Sequence, residues 1–351
     1  MHSNSNNNSI TIAKAIGIIL MVIGHSGCPT VLCRFLYLFH MPLFFVCSGF
    51  FFKEISDKPS LFLFYKKRMK RLYLPYLKWS VFFLLLHNTF SSLSIIKSGP
   101  YEPYDYIKQF LKLIVMVDYE LLIRPFWFIK ELLLASLIVA TISLFRSRYF
   151  PKINIGSLII LSLISSTLAK YVPIIPLIGD CSVLFLSISY YYMGLLFHKY
   201  QNRLPLEYSI LILLFIIVIS GSFIFPGFID MRYTTAYNNI LYFCLSIFGI
   251  QMLFIISKII ENKHTCPVLN YIGNHTMPIL ALNLLTLKFG NLIKIWFYDL
   301  PIDKLSSHTV IYDHNAFFWL LYIVIGVTLP LFVNYLYIRF VSRYIHTREM
   351  E

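Results

Sequence analysis

Apolar residues gather along the chain in stretches of about twenty, with short polar segments between them. They fall near 10–28, 31–52, 73–95, 124–145, 153–172, 181–198, 207–225, 237–260, 268–290 and 317–340. Each can cross the hydrocarbon core of a bilayer as a helix, the form in which a backbone bonds to itself where water is absent. The pattern predicts an all-α, polytopic transmembrane helix bundle of about 10 spans. One shorter segment, "YDYIKQFLKLIVMV" at 104–117, repeats its apolar residues near the helical period, and it predicts an amphipathic helix on the membrane surface or over the bundle.

Composition removes the soluble alternatives, because 58% hydrophobic and only 13% charged residues do not make a soluble domain of 351 residues. The net charge of +14 is not a nucleic-acid stripe. Its Lys and Arg cluster in short segments between apolar runs, as at 65–71 and 146–152, and they read as topology signals. With the N-terminus inside, every inside loop is short and basic. The longer loops near 96–123 and 291–316, which also carry acids, then fall outside, and an even number of spans puts both termini in the cytoplasm.

The whole chain, 1–351, reads as a single integral membrane domain with a polar N-terminal tail (1–9) and a cytoplasmic tail (341–351). "MHSNSNNNS" lacks a basic n-region, so the first span is expected to be retained, and no further domain is expected after the last one. The cysteines are scattered without zinc or disulfide spacing, so no metal is expected.

Ionisable residues inside spans are costly and concentrate here at one end. Lys14 and His25 are eleven residues apart, close to three full helical turns, so they share a face about 16 Å from end to end. A snorkelling lysine and a structural histidine would explain them separately. The next span brings Arg34 and His40, however, and two such helices joined by a short turn pack side by side. After it comes "YKKRMKRLYLPY" (65–76), in which Arg68 and Arg71 share a helical face and form a fork suited to phosphate.

Together these residues resemble a known family. "RFLYLFHMPLFFVCSGFFF", the Lys14…His25 pair and the R-x-x-R of Arg68 and Arg71 ahead of "LYLPY" are similar to motifs of acyltransferase family 3, integral membrane enzymes. "RPFWFIKELLL" (124–134) resembles that family's Trp-Phe span. "LNYIGNHTMPILALNLLTLKF" (269–289) resembles the late span of bacterial fucose 4-O-acetylase-like members, with Asn283 where the pattern often has histidine.

The resemblance implies transfer of an acetyl group from acetyl-CoA, as cosubstrate, to a hydroxyl of a cell-surface carbohydrate. It places the protein in the bacterial plasma membrane, working with polysaccharide biosynthesis proteins. On that reading His25 is a general base or transient acyl carrier, with His40 as a second catalytic candidate. Lys14, Arg68 and Arg71 would bind the cofactor, while Arg34, Trp127 and Glu131 would orient groups or hold substrate. The alternative is an exporter or flippase for lipid-linked sugars, which also needs polar groups within a bundle.

Overall fold

The first apolar stretch folds as α1 (Ser5–His25), which takes in the end of the segment expected to be a polar tail. The computed structural model describes residues 5–348 except 176, 202–206, 226–228, 233–237, 264–265 and 315–316. Among them the chain is helical, and a lone bridge between Ile175 and Gly179 is the only strand-like pairing. Seven helical segments are long and apolar enough to cross a membrane: Asn8–His25, Thr30–Phe50, Leu121–Tyr149, Cys181–Tyr200, Asn239–Lys263, Thr276–Tyr298 and Phe318–Phe340. Two shorter apolar ones, Ile155–Tyr171 and Tyr208–Ser222, fill the fifth and seventh expected spans. The protein is a multi-pass membrane protein built as an all-α bundle.

The second span is two helices, α2 (Thr30–Tyr37) and α3 (His40–Phe50). The cause is Pro42, which has no N–H to give the carbonyl four residues back, that of Leu38. The third expected span, 73–95, is interrupted. Helix α4 (Lys58–Arg68) starts at Asp57, whose carboxylate accepts the Ser60 N–H at 2.8 Å. It runs through a π-helical turn at Met69–Tyr73 into α5 (Leu74–Leu85), and the short α6 (His87–Ser92) follows a break at Leu86. The apolar run ends there because the polar pair His87 and Asn88 is drawn into contacts of its own. Buried His87 meets Glu120 at 2.8 Å and stacks on Tyr101, while the Asn88 side chain pairs with the Tyr101 backbone at 2.7 and 3.0 Å. Burial raises the Glu120 carboxyl above its usual range, and the hydrogen bond from His87 opposes that rise.

The amphipathic segment is the helix α7 (Pro103–Ile114). It buries Gln109 and Leu113, accepts at its last carbonyls from the hydroxyls of Tyr73 in the π-helical turn and Tyr76 in α5 at 2.8 Å, and leaves Ile107, Phe110 and Leu111 exposed. The remaining helices are α8 (Trp127–Tyr149), α9 (Ile155–Leu168), α10 (Cys181–Tyr200), α11 (Tyr208–Ser222), α12 (Asn239–Lys263), α13 (Pro267–Asn274), α14 (Thr276–Tyr298), α15 (Lys304–Ser307) and α16 (Phe318–Arg348). The last runs well past the end expected for the final span.

Helix α1 is central and packs on α2, α3, α12, α13, α14 and α16. Helices α3 and α10 pack closely where Gly49 and Gly194 let backbones touch. A Cβ at Gly194 would lie 2.2 Å from the Val46 carbonyl oxygen, so small residues there set the distance between helices.

Two donors from α12 satisfy the carbonyls freed at the α2–α3 break. The Tyr242 hydroxyl donates to Tyr37 O at 2.9 Å, and Ser246 Oγ lies 2.6 Å from Leu38 O. Ser246 accepts in turn from the Tyr190 hydroxyl at 2.9 Å. Ser246→Ala is expected to destabilise the bundle by about 1–3 kcal/mol, the cost of an orphaned buried carbonyl. Pro42→Ala returns an N–H to Leu38 and should reduce that loss. Thermal unfolding of the single and double variants in detergent checks this, and an equal loss in both backgrounds would refute the account.

Candidate active site

The broken second span places the imidazoles. In α3 the His40 Nδ1 donates to Leu36 O at 2.9 Å, so the neutral ring carries its lone pair on Nε2. His40 is 2% exposed. Tyr37, at the end of α2, makes edge contacts with both imidazoles, its ring centre 4.8 Å from that of His40 and 6.4 Å from that of His25. It fits because α1 offers Gly24 there, where a Cβ would stand 2.7 Å from the tyrosine ring. His25 and His40 thus share a chamber of about 220 Å³ with Trp127, Arg124, Asp230 and Arg232. The Arg232 guanidinium lies over the Trp127 ring at 5.4 Å, and its backbone N–H donates to Asp230 at 2.8 Å. Burial pushes the Asp230 carboxyl above its usual range, against the Arg232 amide and charge.

A second chamber, of about 280 Å³, lies along the same helices and is walled by Lys14, Ile18, Cys47, Phe44, Arg68 and Arg71 among others. The stripe Lys14, Ile18, Met21, His25 on α1 follows the helical period, so one face of one helix serves both chambers. Three side chains, Met21, Met41 and Leu280, wall both and mark where the two meet. Asn283 Nδ2 stands 3.3 Å from the Met21 sulfur and fixes that side chain from behind.

The arginines stand at the π-helical turn. Pro75 cannot donate to the Arg71 carbonyl, and the turn widens so that Leu74 N–H bonds Met69 O, five residues back. Arg68 Nη2 donates to the Tyr191 hydroxyl at 2.6 Å, and its guanidinium lies 4.9 Å from the Phe64 ring centre. Arg71 is exposed and, among the described residues, has no side-chain hydrogen bond. Both line the second chamber and a groove of about 670 Å³ that leads out past Lys53 and Lys67.

Lys14, His25, His40, Arg68, Arg71 and Trp127 therefore line a run of adjoining cavities that share wall residues. Arg34, expected near the imidazoles, stands elsewhere. Its guanidinium donates to Ser222 O at 3.1 Å and to Phe225 O, closing the C-terminal end of α11, where helix carbonyls lack partners and attract a cation. Glu131 is buried in α8 beside Lys130, with Asp180 and Arg232 as its other charged neighbours, and it is not part of either chamber wall. Its charge acts on the site through the nearby Arg232.

Sequence reasoning passed over Tyr37, Arg124, Asp230, Arg232 and Tyr191. The tyrosines looked like ordinary apolar positions. Arg124 looked like a loop charge, though it directly precedes "PFWF". Asp230 and Arg232 sit in a connection with no periodic signal.

The family model described as "Acyltransferase domain", of acyltransferase family 3, matches residues 7–338. No curated protein and no solved structure matches the chain.

The two chambers should open to opposite faces. With the six cysteines replaced by serine, Lys14→Cys is expected to react with a membrane-impermeant thiol reagent added to the face that bears Arg68 and Arg71. His25→Cys should react from the other face. Labelling of both positions from one face would show that the chambers share a single opening.

Proposed function

The chain belongs to acyltransferase family 3 and is a membrane acyltransferase; from that membership we propose that it moves an acetyl group from acetyl-CoA to a hydroxyl of a carbohydrate. The supporting observation is the pair of chambers that meet at Met21, Met41 and Leu280, with cations at one end and imidazoles at the other. A nucleotide thioester is an anionic head on a long uncharged arm, and the cavities have that polarity.

In this reading Arg68 and Arg71 hold coenzyme A phosphates by charge-assisted hydrogen bonds, with Tyr191 keeping the Arg68 fork in place. Lys14 adds a cation in the second chamber. The arm then lies along the apolar wall of α1 and α3, toward a constriction within the roughly 16 Å between Lys14 and His25. The acceptor enters the histidine chamber, where Trp127 offers a flat face to a sugar ring.

His25 takes the proton of the acceptor hydroxyl as the oxygen attacks the thioester carbonyl carbon. The carbon–sulfur bond breaks, and the proton passes to the departing thiolate. His40, with its tautomer fixed by Leu36 O, presents an Nε2 acceptor to the same chamber and orients the hydroxyl. Water is kept from the thioester by the methionine and leucine side chains between the chambers. We place the arginine mouth in the cytoplasm of a bacterial cell, beside the donor pool, and the acceptor among growing envelope polysaccharides.

The test is thiol release from labelled acetyl-CoA by protein in nanodiscs, with an extract of carbohydrate precursors. His25→Ala is expected to lower turnover about 100-fold or more, the usual loss of a general base. The pair Arg68→Ala and Arg71→Ala should raise the KM for acetyl-CoA about tenfold while largely sparing kcat, as expected for lost ground-state contacts. Acetyl-CoA that binds to the wild type and is never consumed, alongside saccharide movement across vesicles, would overturn the reading in favour of export.

A further inference from the structure

Behind the histidine chamber lies a second polar space that acetyl transfer alone does not use. It has a volume of about 240 Å³ and adjoins the chamber through Arg124, Leu284 and Thr309. Its other polar walls are Lys97, Lys288, His308 and the serines Ser306 and Ser307. Across the two spaces four cationic side chains, Arg124, Arg232, Lys97 and Lys288, face one carboxylate, Asp230.

These cations are not equivalent. The Lys288 ammonium is committed to Leu305 O and His308 O at 2.5 and 2.6 Å, and Arg232 is tied to Trp127 and Asp230. The side chains of Arg124 and Lys97 are exposed and, among the described residues, make no hydrogen bond or ion pair. Two uncommitted cations on one small space repel each other and favour an anion between them.

The space is also built. Along α14, Lys288, Asn291 and Lys294 come three residues apart, all buried, and each holds the backbone of the 305–311 segment. Asn291 bonds Thr309 O and Ile311 N at 3.1 Å, and Lys294 bonds Ile311 O at 2.7 Å. Burying two ammonium groups to fix one loop is costly, and the loop so fixed is the wall that carries Ser306, His308 and Thr309. On the other side Arg124 stands on a tight helical turn, Leu121–Phe126, anchored by buried Leu122, Ile123 and Phe126.

We propose that the acceptor carries an anionic group, a phosphate or a carboxylate, next to the sugar that is modified, and that Arg124 and Lys97 hold it while the hydroxyl lies against His25. The acyl-transfer reading enters only in naming this ligand the acceptor. Arg124 borders both spaces, so an anion held there leaves the attached sugar in the histidine chamber. A planar guanidinium meets phosphate or carboxylate in two parallel hydrogen bonds, and the Thr309 hydroxyl of the fixed wall supplies a further donor.

The experiment is equilibrium binding to the full chain in nanodiscs of zwitterionic lipid, with no acyl donor, so that it reports on this site even where thiol release fails. The probes are glucose 1-phosphate, methyl glucuronide and neutral methyl glucoside. The anionic probes are expected to bind about tenfold more tightly than the neutral one, an advantage that shrinks at high salt. Arg124→Gln should abolish that advantage, Arg124→Lys should keep part of it, and Lys97→Gln should reduce it. Equal affinity for charged and neutral probes, or a preference that survives both Arg124→Gln and Lys97→Gln, overturns the proposal. Repeating the assay in anionic-lipid nanodiscs identifies the source of the group. Competition by headgroups means that the space reads a lipid-borne phosphate, and undiminished binding means that the charge belongs to the saccharide itself.

Discussion

A carbonyl left open inside a bilayer has no water to turn to, and the organisation of this protein depends on how two such carbonyls are satisfied. Pro42 withholds the N–H that Leu38 O would receive in a continuous helix, and the second span breaks there. Helix α12 answers with Tyr242 and Ser246, one donor for Tyr37 O and one for Leu38 O. With those bonds in place the break holds one geometry. Leu36 O is then reached by the His40 ring nitrogen, and Tyr37 turns its ring between the imidazoles. A proline on α3 and a serine and a tyrosine on α12 thus decide where a histidine of the site stands.

The same logic recurs at the other end of the cavity run. Pro75 removes a donor from the Arg71 carbonyl, and the helix responds by widening into a π turn, where Arg68 and Arg71 project. The two prolines lie in consecutive helical segments and interrupt them near opposite ends of the cavity run. Between the interruptions α1 is unbroken and carries both ends of its stripe, Lys14 and His25, on one rigid face. Continuous helix fixes the separation, and broken helix supplies the local shape.

Much of this was legible in the sequence, for a definite reason. The span pattern rests on hydropathy, which a bilayer enforces at almost every position, and the Lys14–His25 relation rests only on the helical period. Residues chosen by tertiary contact were harder. Arg34 looked like a costly intramembrane charge, and only the structure shows the open carbonyls of α11 that it serves. The stretch 73–95 looked like one span because the polar residues between Leu86 and Phe90, namely His87, Asn88 and Thr89, carry no fixed charge. The contacts that stop the helix, Glu120 and Tyr101, lie far along the chain. Asp230 and Arg232 had no periodic or motif signal, and a loop side chain declares itself only when folding brings it to a cavity.

Polar groups are divided along the cavities in a way that follows from their cost in an apolar interior. The charges that meet no described partner, Arg71, Lys97 and Arg124, stand at the openings, where water meets them and an anionic ligand can replace that water. The groups at depth are histidines, which are neutral in one of their ordinary states, and uncharged methionine, leucine and phenylalanine. Asn283 fits the same rule, since a neutral amide beside the Met21 sulfur steadies a wall that both chambers share without adding a charge to it. The proposed transfer, from a neutral thioester to a neutral hydroxyl, suits a dry centre and charged ends. The helices provide both by placing their cations where the cavities open and their softest side chains where the cavities meet.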